Sequence, residues 1–265
     1  MSVHTMILAE PGSTAEGDLD TFFRLVDVAA ECGADVFKNQ WLSSAERLCR
    51  QRNASEYLWS YRKLEFPLEW HEQIARRCEA AGIAYACSTY LRGDASLVAP
   101  WATLLKIASF ESSDQLFITQ HHDLKRPIIV STGMASEVEI AALATCLRPG
   151  DVIMHCVSSY PTPDEEINIG AVHSLLHIWP AVGLSDHTKN SITGALAIAA
   201  GATWLERHYR LDDTDPANAD YEVASSPALF KEYVRLARLA EQMVGTGMKR
   251  AMPCEEPMLK YRVRP

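Results

Sequence analysis

Two lysines stand where apolar residues belong. Lys38 and Lys106 each interrupt a short hydrophobic run, Ala34–Gln40 and Leu104–Ser109, where an ammonium is costly unless an anion meets it. Hydroxyls recur at the ends of similar runs, at Ser88-Thr89, Ser131-Thr132, Ser158 and Ser185, and two lysines converging with such hydroxyls make a pocket for a phosphate or a carboxylate. A second assignment pairs each lysine with a run-end glutamate such as Glu10 or Glu111, and the two can hold together. A third makes one lysine a Schiff-base nucleophile; it is the weaker, because adjacent carboxylates would keep the amines protonated. His187 and His208 end the last two apolar runs, close enough for two imidazoles to share a divalent ion whose other positions are filled by water or substrate oxygens. His121 and His122 read as exposed helix-end residues, and His71, His173 and His177 as helical surface or core.

The elements that must position these groups follow a repeating pattern: a short apolar run, a few polar residues, then an amphipathic stretch of ten or more. The runs are Thr5–Glu10, Ala34–Gln40, Ile83–Thr89, Leu104–Ser109, Pro127–Thr132, Asp151–Val157, Ala181–Asp186 and Thr203–Tyr209. Helical patterns lie near 18–32, 69–82, 93–100, 113–122, 136–146, 169–178, 191–200 and 227–244. Such alternation predicts βα units on a parallel sheet, and eight of them close into a single α/β, (β/α)8 TIM barrel more readily than they form an open sheet of that width. No Gly-x-Gly-x-x-Gly follows the first run, which weakens a dinucleotide fold. In a barrel, chemistry gathers at the C-terminal ends of the strands, and all eight runs end in residues capable of it. The stretches 41–68 and 210–226 exceed ordinary connections and read as substrate loops.

The net charge of −9 argues against non-specific nucleic-acid binding, which needs clustered Lys and Arg. No apolar run approaches the roughly 18 residues of a membrane span, and the first residues show no basic-then-apolar leader pattern. A cytoplasmic enzyme is expected. The 7 cysteines are odd in number and include no CxxC pair, so they read as thiols, with Cys32 and Cys78 as small buried hydrophobes.

The ordered motifs Ala9-Glu10-Pro11-Gly12, Lys38-Asn39-Gln40, Ser88-Thr89, Lys106-Ile107-Ala108-Ser109-Phe110-Glu111, Ser131-Thr132-Gly133-Met134, His155 to Pro163, Gly183-Leu184-Ser185-Asp186-His187-Thr188 and Glu206-Arg207-His208 resemble those of the sialic acid synthase family. These enzymes condense phosphoenolpyruvate with an N-acetylated amino sugar to make nonulosonic acids. The resemblance implies a phosphoenolpyruvate site at Lys38, Thr89, Lys106, Ser109, Ser131, Ser158 and Ser185. It implies a divalent metal, Mn2+ before Mg2+ or Co2+, on His187 and His208, polarising the aldehyde. It places Glu10, Gln40, Glu111, Tyr160 and Asp220 toward the sugar, with Glu10 or Glu111 as base and Lys38 and Lys106 neutralising charge.

Departures from the family pattern fall on the acceptor side: Thr14-Ala15-Glu16-Gly17 follows the first strand, and Asn39 follows the lysine of the second. The resemblance runs from residue 9 to about 227, and the chain is expected to divide into a barrel over 1–248 and a tail over 249–265, with no antifreeze-like domain. It implies a homodimer, with a lid supplied by a separate protein or from within the chain. Within the chain, arginines of 41–68 (Arg47, Arg50, Arg52) or of the tail (Arg262, Arg264) are the candidates. A metal-dependent lyase or aldolase of a 2-keto-3-deoxy sugar acid, and a non-catalytic sugar- or phosphate-binding barrel, are the alternatives.

Overall fold

The computed structural model describes residues 4–263, and eight parallel strands in it close into a barrel in sequence order. They are β1 (Met6–Glu10), β2 (Val36–Gln40), β3 (Ala84–Ser88), β4 (Leu104–Ile107), β5 (Ile128–Ser131), β6 (Val152–Cys156), β7 (Val182–Asp186) and β8 (Trp204–His208). The seam joins β1 to β8, setting Met6 opposite Trp204 and Glu10 opposite His208. Each expected run is one strand, trimmed at its ends.

Side chains alternate across each strand, and the alternation sorts this barrel into layers. Leu8, Val36, Ala86, Ile129, Val152 and Met154 fill the interior as an apolar plug. One residue pair further along, the same faces carry Glu10, Lys38, Ser88, Lys106, Ser131, Cys156, Ser185, Glu206 and His208. Outward positions such as Ile7, Phe37, Leu105, Val130, Ile153, Leu184 and Leu205 pack in the main core with helix residues including Phe22, Leu25, Ile74, Phe117, Val172 and Phe230. Full burial of each such Leu, Ile or Phe contributes about 1.5–3 kcal/mol, which offsets the burial of the charged layer above the plug.

The eight expected helices are α1 (Leu19–Cys32), α4 (Trp70–Ala80), α5 (Asp94–Val98), α6 (Gln115–Asp123), α7 (Glu137–Ala144), α8 (Gly170–Leu175), α9 (Thr193–Ala199) and α10 (Pro227–Val244). The stretch 41–68, expected as a loop, holds two more, α2 (Ala45–Arg52) and α3 (Leu58–Arg62). Ser44 caps α2 by accepting the Arg47 N–H, and Leu42, Ala45, Leu48 and Leu64 pin the segment against Tyr90 and Leu91. The segment is therefore a packed excursion over the barrel mouth.

His121 and His122 are buried rather than exposed. The last turn of α6 folds inward, setting His121 Nδ1 2.8 Å from the Phe117 carbonyl and His122 Nε2 2.7 Å from the Asp151 carboxylate. Burial pushes His121 down to about 4, so it is neutral at physiological pH. The seven cysteines are free thiols. Pro253–Tyr261 forms an exposed 3-10 helix; Arg264 and Met1 to Val3 lie outside the described residues. Among the described residues no helix is long and apolar enough to cross a membrane.

Candidate active site

The polar layer opens into a cavity of about 680 Å³ at the C-terminal mouth. At its floor Lys38 Nζ lies 2.5 Å from Glu10 and 3.3 Å from Glu206 and donates to Ser88 at 3.0 Å. Lys106 Nζ lies 2.9 Å from Glu206 and donates to Ser131 at 2.7 Å. Ser185 donates to the same Glu206 oxygen at 2.8 Å. Glu206 thus bridges both lysines. Burial acts to raise the Glu10 carboxyl, but Lys38, His208 and Lys106 outweigh it and hold it well below the usual carboxylate range. Burial likewise opposes the Lys38 charge, yet Glu10 and Glu206 raise its pKa above an ordinary lysine. Lys38 is therefore an ammonium with a satisfied charge, not a free amine, and a Schiff base there loses its physical basis.

Beside the lysines, the chain makes an anion cradle. Gly133 donates its N–H to Ser109 Oγ at 3.0 Å, while Ser158 Oγ is buried without a partner. A Cβ on Gly133 would fall 2.2 Å from Ser158 Oγ and 2.9 Å from Ser109 Oγ, so only glycine lets the two hydroxyls converge. Their spare hydrogen-bonding capacity beside two ammoniums suits phosphate oxygens.

Across the cavity lie the two imidazoles, ring centroids 5.6 Å apart. His187 Nδ1 is 2.8 Å from the Val157 carbonyl, which places the proton on that nitrogen and leaves Nε2 as a ligand atom. His208 Nδ1 is buried without a partner, and its Nε2 lies 3.5 Å from Glu10 Oε2. Burial opposes the His187 charge, but Cys156, whose Sγ sits 3.8 Å from Nδ1, and the Val157 carbonyl outweigh it and raise His187 to about 9. A divalent ion at Nε2 would displace the Nε2 proton and leave the one on Nδ1 in place. Among the described residues no set of three or more His, Cys, Asp or Glu side chains forms a metal cluster. The nitrogens that could hold a divalent ion are His187 Nε2 and a His208 ring nitrogen, its other positions then falling to oxygen from solvent or substrate.

The strand tips carrying these histidines are locked from outside. Asp186 and Arg207, the outward neighbours of His187 and His208, form a buried ion pair at 2.6 Å. Arg207 also donates to Ser225 Oγ at 2.7 Å and to the Asn190 carbonyl at 3.0 Å, and its guanidinium lies over the Tyr233 ring. Thr193 donates to the same Asp186 oxygen.

Most of the residues expected at the site meet in this one cavity: Glu10, Lys38, Gln40, Lys106, Ser109, Ser131, Ser158, Tyr160, Ser185, His187, His208 and Asp220 all line it. Gln40 donates to Glu10 at 2.7 Å, and the Tyr160 ring lies tilted against that of His187, their centroids 4.1 Å apart. Asp220 accepts from the Ser13 N–H and hydroxyl, each at 2.7 Å. Gly12, at φ 56°, has room for neither a Cβ nor anything larger, since that atom would fall 2.5 Å from Asp220 Oδ2 and 2.9 Å from His208 Nδ1.

Two residues fall elsewhere. Thr89 does not line the cavity: its hydroxyl lies 3.4 Å from His121 Nε2, and Ser88 faces inward instead. Glu111 pairs with Arg52 on α2 rather than with a lysine. Of the Ser88-Thr89 hydroxyl pair it is Ser88 that lines the cavity, and Glu206 and Cys156, to which the sequence gives no role, line it as well. The signal was strand parity: Ser88 stands opposite both Gln40 and Lys106, and Glu206 opposite Ser185.

A closed (β/α)8 barrel whose mouth joins two charge-paired lysines, a hydroxyl cradle and an imidazole pair defines a transferase of the sialic acid synthase kind. Residues 25–249 match the NeuB family model, and the chain belongs to the NeuB family. It is similar to the pseudaminic acid synthase of Campylobacter jejuni, at 30% identity over 97% of this chain and 79% of that one. The human N-acetylneuraminate-9-phosphate synthase is 28% identical over 94% of this chain and 74% of its own. Among solved structures, the N-acetylneuraminic acid synthetase of Leptospira borgpetersenii superposes with a TM-score of 0.89 at 26% identity, covering 98% of this chain and 91% of that one.

Proposed function

We propose that this chain condenses phosphoenolpyruvate with the open-chain aldehyde of an N-acetylhexosamine-like sugar, giving a nonulosonic or related 2-keto-3-deoxy acid and releasing phosphate. The observation that carries this reading is a single cavity in which an anion seat of Lys38, Lys106, Ser109, Ser131, Ser158 and Ser185 faces His187 and His208. The relatives named as synthases of pseudaminic acid and N-acetylneuraminate-9-phosphate support it.

The lysines and the cradle hold the phosphate and carboxylate of phosphoenolpyruvate, with charge-assisted hydrogen bonds fixing its orientation. A divalent ion bound by His187 and His208, Mn2+ foremost, would supply Lewis acidity toward the aldehyde oxygen. The C3 of phosphoenolpyruvate forms the new bond to the aldehyde carbon, and water adds its oxygen to C2. One water proton ends on the new hydroxyl. The other leaves with phosphate when the C2–oxygen bond breaks and the ketone forms. Glu10, held ionised by Lys38, His208 and Lys106, is a weak base and serves as a hydrogen-bond acceptor for the sugar beside Gln40. Tyr160 and Asp220 bound the same side of the cavity.

The test is phosphate release from phosphoenolpyruvate with Mn2+ across a panel of N-acylated hexosamines and simple aldoses, with mass detection of the keto acid. Release coupled to an adduct of the two substrates is expected. Pyruvate formed from a 2-keto-3-deoxy acid without phosphate chemistry would instead establish the lyase.

A further inference from the structure

Behind the hydroxyl cradle lies a second, smaller pocket of about 200 Å³, between the turn that follows β4 and the first turns of α7. Ser109 and Phe110 line both this pocket and the reaction cavity. Gly133 lines the pocket too, and on its other side a Cβ would fall 2.2 Å from Ser158 Oγ and 3.3 Å from Cys156 Sγ, side chains that line the reaction cavity. The partition at Gly133 is therefore one backbone thick, with no side chain to fill it. The turns after β4 and β5 are joined there by the Gly133 N–H donating to Ser109 Oγ at 3.0 Å, and one neutral hydrogen bond is a weak tie. Met134, the next residue, holds φ 69° and is 65% exposed. That left-handed backbone is unfavourable for a residue with a side chain, and the side chain stands in solvent instead of pinning the turn.

In the reaction proposed above, phosphate is left in the cradle while the new carbon–carbon bond joins the rest of phosphoenolpyruvate to the sugar. The keto acid then spans the cavity from the lysines to the imidazoles and lies between the phosphate and the barrel mouth. A phosphate bound to leave by the mouth would wait for the larger product. The pocket behind the cradle offers the hydroxyls of Ser109, Ser112 and Ser113 along one side, and hydroxyls can pass a phosphate oxygen from donor to donor. Among the described residues no lysine or arginine lines it, so nothing there would hold the ion by charge. Glu139, which accepts from the Ser136 N–H and hydroxyl at 2.7 Å each, lines it as well and repels an anion. Such a lining lets phosphate through without storing it.

We infer that this pocket is the transit site by which inorganic phosphate leaves: parting of Gly133 from Ser109 passes the ion out through the flank of the barrel while the keto acid still fills the mouth. This deepens the function proposed above and rests on it. Substrates enter along the barrel axis, and the smaller product departs sideways between the turns after β4 and β5.

The experiment is a single turnover of phosphoenolpyruvate, Mn2+ and the aldose consumed in the acceptor panel. Keto acid formed on the enzyme is read by rapid quench, and free phosphate by a fluorescent phosphate-binding reporter. Wild type is compared with Ser113→Phe and Ala135→Leu, which add bulk to the pocket from residues outside the cradle and the lysines, with melting temperatures to confirm the fold. In wild type, free phosphate is expected to follow keto acid formation within about twofold. In the variants, keto acid formation and phosphoenolpyruvate affinity should stay within about twofold while free phosphate lags at least about tenfold, because the ion must then wait for the mouth to empty. Absence of that lag in both variants overturns the exit. An equal loss of keto acid formation and phosphate release overturns it too, because the pocket is then structural. The two readings fail separately: no keto acid from any aldose rejects the reaction and the exit with it, whereas keto acid formed without a lag in either variant rejects the exit alone.

Discussion

The floor of the site is a lattice of opposite charges in which no single residue is free to titrate alone. Lys38→Met should weaken phosphoenolpyruvate binding by at least tenfold, and borohydride treatment of wild type with substrate should trap no adduct on either lysine; a reduced pyruvyl lysine in the mass spectrum would overturn the charge-pairing role. Glu206→Gln should be the more damaging change, because one carboxylate holds two ammoniums, and loss of one partner of a buried pair costs about 3–5 kcal/mol. Glu10 also predicts how acid acts. Its carboxyl is lowered by folding, so the stability it supplies is complete above the ordinary glutamate range near 4.5 and is lost as the pH falls below it. Chemical denaturation between pH 7 and pH 3 should show a shallower acid loss for Glu10→Gln than for wild type; parallel curves would remove the assignment. The lysines and the histidine pair were legible as charged residues in apolar runs. Thr89 was not, because position at a strand end had been read without its parity: counting by twos from Lys106 through the strand register puts Ser88 inside and Thr89 against α6.

At the scale of elements, β7 and β8 work as a pair of tips held from behind. The inner residues, Ser185 with His187 and Glu206 with His208, alternate with Asp186 and Arg207, whose ion pair lies on the outer side. Removing that clamp should therefore change the spacing of the imidazoles as well as the stability. Asp186→Asn is expected to destabilise by about 3–5 kcal/mol and to weaken Mn2+ binding, measured by equilibrium dialysis on the folded fraction. Unchanged Mn2+ affinity in a folded Asp186→Asn protein would make the pair purely structural. The strands themselves read plainly from eight apolar runs. The helices α2 and α3 did not, for a physical reason: they span 8 and 5 residues, too few turns for a periodic apolar face to emerge, and α2 is half charged, with one side turned to the cavity. His121 and His122 failed similarly, since a polar residue in the last turn of a helix looks solvated until the partner that buries it, here Phe117 or Asp151, is known.

Across the whole molecule, the reading as a metal-assisted synthase predicts that His187→Ala and His208→Ala stay folded, lose divalent-metal affinity and lose most turnover. Full activity of both in chelator-treated buffer would end the metal assignment. The barrel was the most legible level of all, because alternating runs and amphipathic stretches repeated eight times leave few ways to bury every apolar face.

The seam between β1 and β8 carries a consequence for the nascent chain. Glu206, His208 and Asp220 all arrive in the last quarter of the sequence, and each completes something begun near the start: Glu206 meets Lys38, His208 stands opposite Glu10, and Asp220 receives Ser13 beside Gly12. A polypeptide emerging from the ribosome would hold its first seven strands with Lys106 lacking the carboxylate that neutralises it and with one imidazole of the pair missing. Docking of the eighth strand relieves that uncompensated charge and brings the second imidazole beside the first, so the polar layer of the mouth is complete only when the cylinder has shut.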